Sequence, residues 1–198
     1  MAQVDPRSAR AGHRLLIGVG NPDRGDDGAG RAVARRLMGR DDCAFEVRES
    51  SGEATALINA WTGFDDVVLV DACRGAGPPG SVHRIAPDDA ERIGTLQHAS
   101  THSLGVAAAI GLARALGALP SRLVIYTIEA GHSREGEGLS PEADHAVHEV
   151  VALVMRDAHR WPSASAAGSP GRCAPSSARR LNHDGSAAGT RGRQPSER

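Results

Sequence analysis

The chain contains no lysine; all 23 of its basic residues are arginine. A phosphate-loop lysine, a Schiff-base lysine and a lysine general base are thereby excluded. Aromatic residues make up only 3% of the 198 positions. That is too few for a platform on which nucleic-acid bases stack, so the core must come from Val, Leu, Ile and Ala. Cys43, Cys73 and Cys173 form no Cys-x-x-Cys pair, which argues against a structural zinc site. No apolar run reaches the length of a membrane span, and Met1 to Arg14 has no apolar signal core. Charge of one sign is lacking too: a net charge of -1 gives no electrostatic case for nucleic acid or a membrane surface. A Gly-x-Ser-x-Gly elbow is absent, which disfavours a serine hydrolase. These absences predict a cytoplasmic, reduced protein without nucleic-acid, membrane or organic-cofactor partners, and a monomer is the default expectation.

What is present divides into three stretches. Residues 1–13 read as a loose leader and 14–160 as one foldable domain. Residues 161–198 read as a disordered tail, because the stretch from Ser163 is Ser, Ala, Gly, Pro and Arg with almost nothing to bury. Between 14 and 160, strands and helices alternate. Strand signals are Arg14–Gly20, Ala44–Ser50, Asp66–Ala72 and Arg122–Ile128, with a weaker one at Ser81–Ala86 after a Gly/Pro turn cluster. Helical patterns cover Gly28–Gly39, Gly52–Thr62 and the small-residue run Ser103–Gly117. Ser140-Pro141-Glu142 is an N-cap, a first-turn proline and an acidic first turn, followed by an apolar stripe at Ala143, Val147, Val150, Val151 and Val154. Such alternation implies an α/β fold with a mostly parallel sheet covered on both faces, whose ligands bind at the carboxyl ends of the strands.

The richest segment is Gly18-Val19-Gly20-Asn21-Pro22-Asp23-Arg24-Gly25-Asp26-Asp27-Gly28, directly after Leu15-Leu16-Ile17. Glycines permit a tight turn there. A phosphate site would continue with a neutral or basic helix start, whereas this turn is acidic. The third glycine of a dinucleotide fingerprint would fall on Asp23. Asp71 ends the run Val67-Val68-Leu69-Val70, and His102 precedes the small-residue helix. Taken singly, each has an ordinary reading: a helix cap, a strand-end carboxylate bonding amides, a surface histidine. An α/β sheet brings all three to one edge. Two carboxylates and an imidazole suit nickel, zinc, manganese or iron, or two carboxylates sharing a proton.

These residues resemble the hydrogenase maturation endopeptidase family. The resemblance rests on Gly18, Gly20, Asn21, Asp26, Asp27 and Gly28, on Asp71-Ala72, on Ser100-Thr101-His102 and on Gly138-Leu139-Ser140-Pro141. It implies a three-layer α/β/α sandwich around a twisted, mostly parallel five-stranded sheet with one antiparallel strand, for which Ser81–Ala86 is the candidate. It implies an endopeptidase that removes the C-terminal extension of a nickel–iron hydrogenase large-subunit precursor after nickel insertion. Nickel is then supplied by the substrate and met by Asp27, Asp71 and His102, with Asp27 and Asp71 also catalytic. Gly18, Gly20, Asn21, Asp26 and Gly28 shape the turn. The insert Cys73–Gly80 is expected to set substrate choice. A non-catalytic nickel-binding accessory protein and a dinucleotide-binding module are the alternatives.

Overall fold

In the sheet, side chains separate by parity. Leu15, Ile17, Val19, Val67, Leu69, Leu123 and Ile125 join one buried cluster, while Leu16, Val68, Val70, Val124, Tyr126 and Ile128 join the other. Strict alternation with both faces buried is what a central sheet of apolar, β-branched strands demands. The computed structural model describes residues 14–89 and 101–161. The expected leader, residues 1–13, and all of the expected tail except Trp161 lie outside the described residues.

The strands are β1 (Arg14–Val19), β2 (Glu46–Ser50), β3 (Asp66–Cys73), β4 (Val82–Ile85) and β5 (Arg122–Glu129). They form one five-stranded sheet in the order β2-β1-β3-β5-β4. Pairing is parallel except for β4, which runs antiparallel to β5. Both the mostly parallel sheet and the weak strand as its antiparallel member are therefore as expected.

The helices are α1 (Ala29–Leu37), α2 (Ala54–Trp61), α3 (Thr101–Ala115) and α4 (Pro141–Arg160). On one face α2 brings Leu57 and Trp61, and α3 brings Val106, Ala109, Ile110 and Ala113. On the other, α1 contributes Val33 and Leu37, and α4 contributes Ala146, Val147, Val150 and Val154. Each large aliphatic side chain so buried stabilises the fold by about 2 kcal/mol. The result is a three-layer α/β/α sandwich. Ser140 caps α4 through its Oγ, which accepts from Ala143 N at 3.2 Å. At the far end Trp161 packs edge-on against Phe45, with ring centroids 5.7 Å apart. No helix among the described residues is long and apolar enough to cross a membrane.

The chain leaves β1 for β2 on one side and reaches β3 on the other. The carboxyl ends of β1 and β3 thus flank the point where strand order reverses, the place where an open α/β sheet forms a crevice.

Candidate active site

After β1 the chain makes a turn and a single 3-10 turn, Gly25–Gly28, before α1 begins. Gly20 has φ +131, and the main-chain oxygen of Asp27 occupies the space a Cβ there would need. Gly18 lies against the backbone of Gly30 in the same way, and Gly28 against that of Pro22. Gly30 in turn sits against the carbonyl oxygens of Val19 and Val70. The start of α1 is thus pressed onto the ends of β1 and β3. Asn21 closes the turn: its N–H donates to Asp27 Oδ2 at 3.2 Å, and its Oδ1 accepts from Asp23 N at 3.0 Å.

Asp26 and Asp27 are both buried, yet they do different things. Asp26 Oδ1 accepts from Ser140 N at 2.6 Å. Its Oδ2 accepts from Gly131 N at 2.8 Å, from His132 N at 3.1 Å and from Ser140 Oγ at 3.0 Å. Burial by itself would raise the Asp26 pKa, but hydrogen bonds from Ser140, His132 and Gly131 outweigh it and hold the carboxyl below its ordinary value. Asp26 thereby fastens the opening turn to the loop after β5 and to the start of α4. Asp27 instead accepts from Asn21 within the opening turn, and no side-chain cap closes the start of α1.

Asp71 lies one position short of Ala72 near the end of β3, 1% exposed, its Oδ1 accepting from Ala72 N at 2.9 Å. Its parity places it on the face of Val67 and Leu69, the face covered by α2 and α3. The 3-10 turn that carries Asp27 packs against β3. Asp27 and Asp71 therefore both lie at the carboxyl edge of two adjacent parallel strands, β1 and β3.

His102 falls inside α3, whose first described residue is Thr101, and not before the helix as the spacing predicts. His102 is therefore part of the helix itself, ahead of the expected start at Ser103. Its side chain lies outside the described residues. The backbone of α3 is anchored nearby: Gly105, one turn on, sits against the carbonyl oxygen of Gly52 in the loop after β2. Among the described residues no three His, Cys, Asp or Glu side chains form a metal-holding group.

Sequence reasoning missed Glu129. It ends β5, is 4% exposed, and pairs in register with Cys73. Glu129 Oε1 accepts from Gly75 N at 2.6 Å, and Oε2 accepts from Ala76 N at 2.9 Å and from the Cys73 thiol at 3.4 Å. The available signal was parity: Leu123, Ile125, Thr127 and Glu129 share one face, and an acid at the carboxyl end of a buried strand repeats the pattern of Asp71. Burial, reinforced by the Glu129 charge, pushes the Cys73 thiol up to about 12. A thiol held protonated is a poor nucleophile.

Two cavities open at this edge. One, of about 340 Å³, lies between the opening turn, α1 and Gly138-Leu139. The other, of about 360 Å³, is walled by Pro79, Gly80, Pro141, Glu142 and His145.

A family model described as hydrogenase maturation protease matches residues 40–157. Among solved structures, the chain is similar to the hydrogenase-maturating endopeptidase HybD from E. coli, at 19% identity and a TM-score of 0.66 over 75% of this chain and 93% of that one. It is also similar to the [NiFe] hydrogenase maturation protease HybD from Thermococcus kodakarensis, at 23% identity and a TM-score of 0.60 over 74% and 99%. A hydrogenase 2 maturation peptidase from a Thaumarchaeota archaeon matches at 27% identity and a TM-score of 0.50 over 73% and 97%. No curated protein gives a significant match.

Proposed function

The chain belongs to the hydrogenase maturation protease family, and on that premise we propose that it removes the C-terminal extension of a nickel–iron hydrogenase large-subunit precursor once that precursor holds nickel. The observation that supports this reading is that two buried carboxylates, Asp27 and Asp71, lie at the carboxyl edge of adjacent strands, one just after β1 and one near the end of β3. A phosphate would be repelled there. A divalent cation held by another polypeptide would be attracted, and carboxylate oxygen together with an imidazole from His102 suits a borderline metal.

In this reading nickel is part of the substrate. Meeting it with Asp27, Asp71 and His102 fixes the scissile bond beside the carboxylates, so that a bimolecular encounter becomes a local one. The same arrangement serves carboxylate-assisted attack of water or polarisation of the scissile carbonyl by the precursor's metal. The groups around the pair have supporting roles. Asn21 orients Asp27 through its N–H, Gly20 lets that turn close, and Asp26 ties the turn to α4.

The test is cleavage of the cognate precursor with and without inserted nickel, read by mass spectrometry. Loss of a C-terminal peptide only from the nickel-loaded form supports the proposal. Cleavage that ignores nickel removes the metal check but leaves the protease. No cleavage of either form, with tight nickel binding by the isolated protein, favours the accessory-protein alternative.

A further inference from the structure

The loop between β3 and β4 is exposed at Gly75, Gly77, Pro78 and Pro79, yet one buried residue organises it from end to end. The Glu129 carboxylate receives the N–H groups of Gly75 and Ala76 where the loop begins. The Glu129 main chain accepts from Gly80 N at 2.8 Å and donates to Ser81 O at 2.9 Å where the loop ends. Three further contacts hold the same loop. Arg74 Nη2 donates to Ser133 Oγ at 2.8 Å, Gly131 lies beside Pro79, and Gly80 lies against the main chain of Glu142 in the first turn of α4. Burying a carboxylate costs several kcal/mol unless hydrogen bonds compensate it, and here the compensation comes from an exposed loop that contributes little to the core. Such an expense fits a surface that must keep its shape for a partner.

We infer that Glu129 is a positioning residue that holds the Cys73–Gly80 loop as a rigid docking ridge for the precursor polypeptide. The ridge follows Asp71 directly in the chain. At its end Pro79 and Gly80 line the 360 Å³ cavity together with Pro141, Glu142 and His145. A precursor chain seated against the prolines would run past the strand end that carries Asp71. Because the loop is already ordered, docking would not incur the cost of ordering it. The inference rests on the protease reading above and assigns recognition, as distinct from chemistry, to this loop.

The experiment compares wild type, Glu129→Gln and Arg74→Ala in steady-state cleavage of the nickel-loaded precursor, with amide hydrogen exchange on the same proteins. Glutamine is uncharged and retains one acceptor oxygen, so both loop N–H groups lose a charged partner and one of them loses its acceptor. Exchange at Gly75 or Ala76 should quicken by about tenfold, and KM should rise by about tenfold with kcat within about twofold of wild type. Arg74→Ala leaves Glu129 intact and should raise KM by a smaller factor. Faster exchange with an unchanged KM overturns the inference, and so does a fall in kcat with KM unchanged, which would put Glu129 in the chemistry. If wild type itself does not cleave, the protease reading falls and the docking role falls with it. Wild-type cleavage with an unaffected variant removes the docking role alone.

Discussion

At the amino end of the sheet, Asp66 stands between two arginines: Arg122 Nη1 lies 3.1 Å and Arg14 Nε 3.6 Å from its carboxylate. Arg14 also donates to the carbonyls of Ala158 and Trp161, both at 2.7 Å, and Arg122 stacks over the Trp161 ring. At the carboxyl end, Asp26 and Glu129 are held by main-chain N–H groups. An arginine cancels a carboxylate's charge. Amide N–H donors supply no countercharge, and at Asp26 they hold the carboxyl below its ordinary value. At the amino end Asp66 is thus held by arginines, and at the carboxyl end Asp26 and Glu129 are held by backbone amides instead. In the proposed function this contrast separates a structural edge from the edge that would meet the precursor's metal.

The strongest way to break the comparison is Asp71→Asn. Its Oδ1 still accepts from Ala72, so melting should change little, while precursor cleavage should fall by about a thousandfold. A variant that cleaves normally would leave the carboxyl edge with no catalytic distinction from the amino edge.

Asp26→Asn comes next and acts on stability. An amide cannot accept from four donors, so unfolding free energy at neutral pH should fall by about 2–4 kcal/mol in a denaturant titration. The pH dependence has a definite sign. The Asp26 pKa is lowered in the fold from an ordinary 3.8, so its stabilisation is present above that value and is lost as pH falls through the folded value. Acid unfolding of wild type should therefore steepen below about pH 4, and the variant should lack that component.

The smallest effect belongs to the amino edge. Asp66→Ala removes the partner of two partly exposed arginines and should cost about 1 kcal/mol, less at high salt, with cleavage unchanged. A large loss of activity there would show that the two edges are not independent.

Much of this architecture is legible in the chain. Alternation of short apolar runs with helical patterns predicts the layers, whereas the reversal of the weak strand at Ser81–Ala86 follows only from the family resemblance. The difference between Asp26 and Asp27 is not legible. Two neighbouring aspartates in a glycine-rich turn look alike, and only contacts made over a hundred residues away, at Gly131, His132 and Ser140, separate them. Glu129 escaped for a related reason. Its strand was expected to stop at Ile128, and its value lies in a loop more than fifty positions earlier. Local pattern finds elements and their faces, whereas the role of a buried polar group depends on which distant backbone groups reach it.

The chain has two tryptophans, and the fold deals one to each side of the sheet: Trp61 in the layer of α2 and α3, Trp161 in that of α1 and α4. The single tyrosine, Tyr126, lies with Trp161, its hydroxyl donating to Asp157 at 2.7 Å. Each outer layer therefore contains its own fluorophore. Replacing either tryptophan by phenylalanine yields a protein that reports on one face at a time, so the loosening of the docking side and of the opposite side can be followed as separate optical signals.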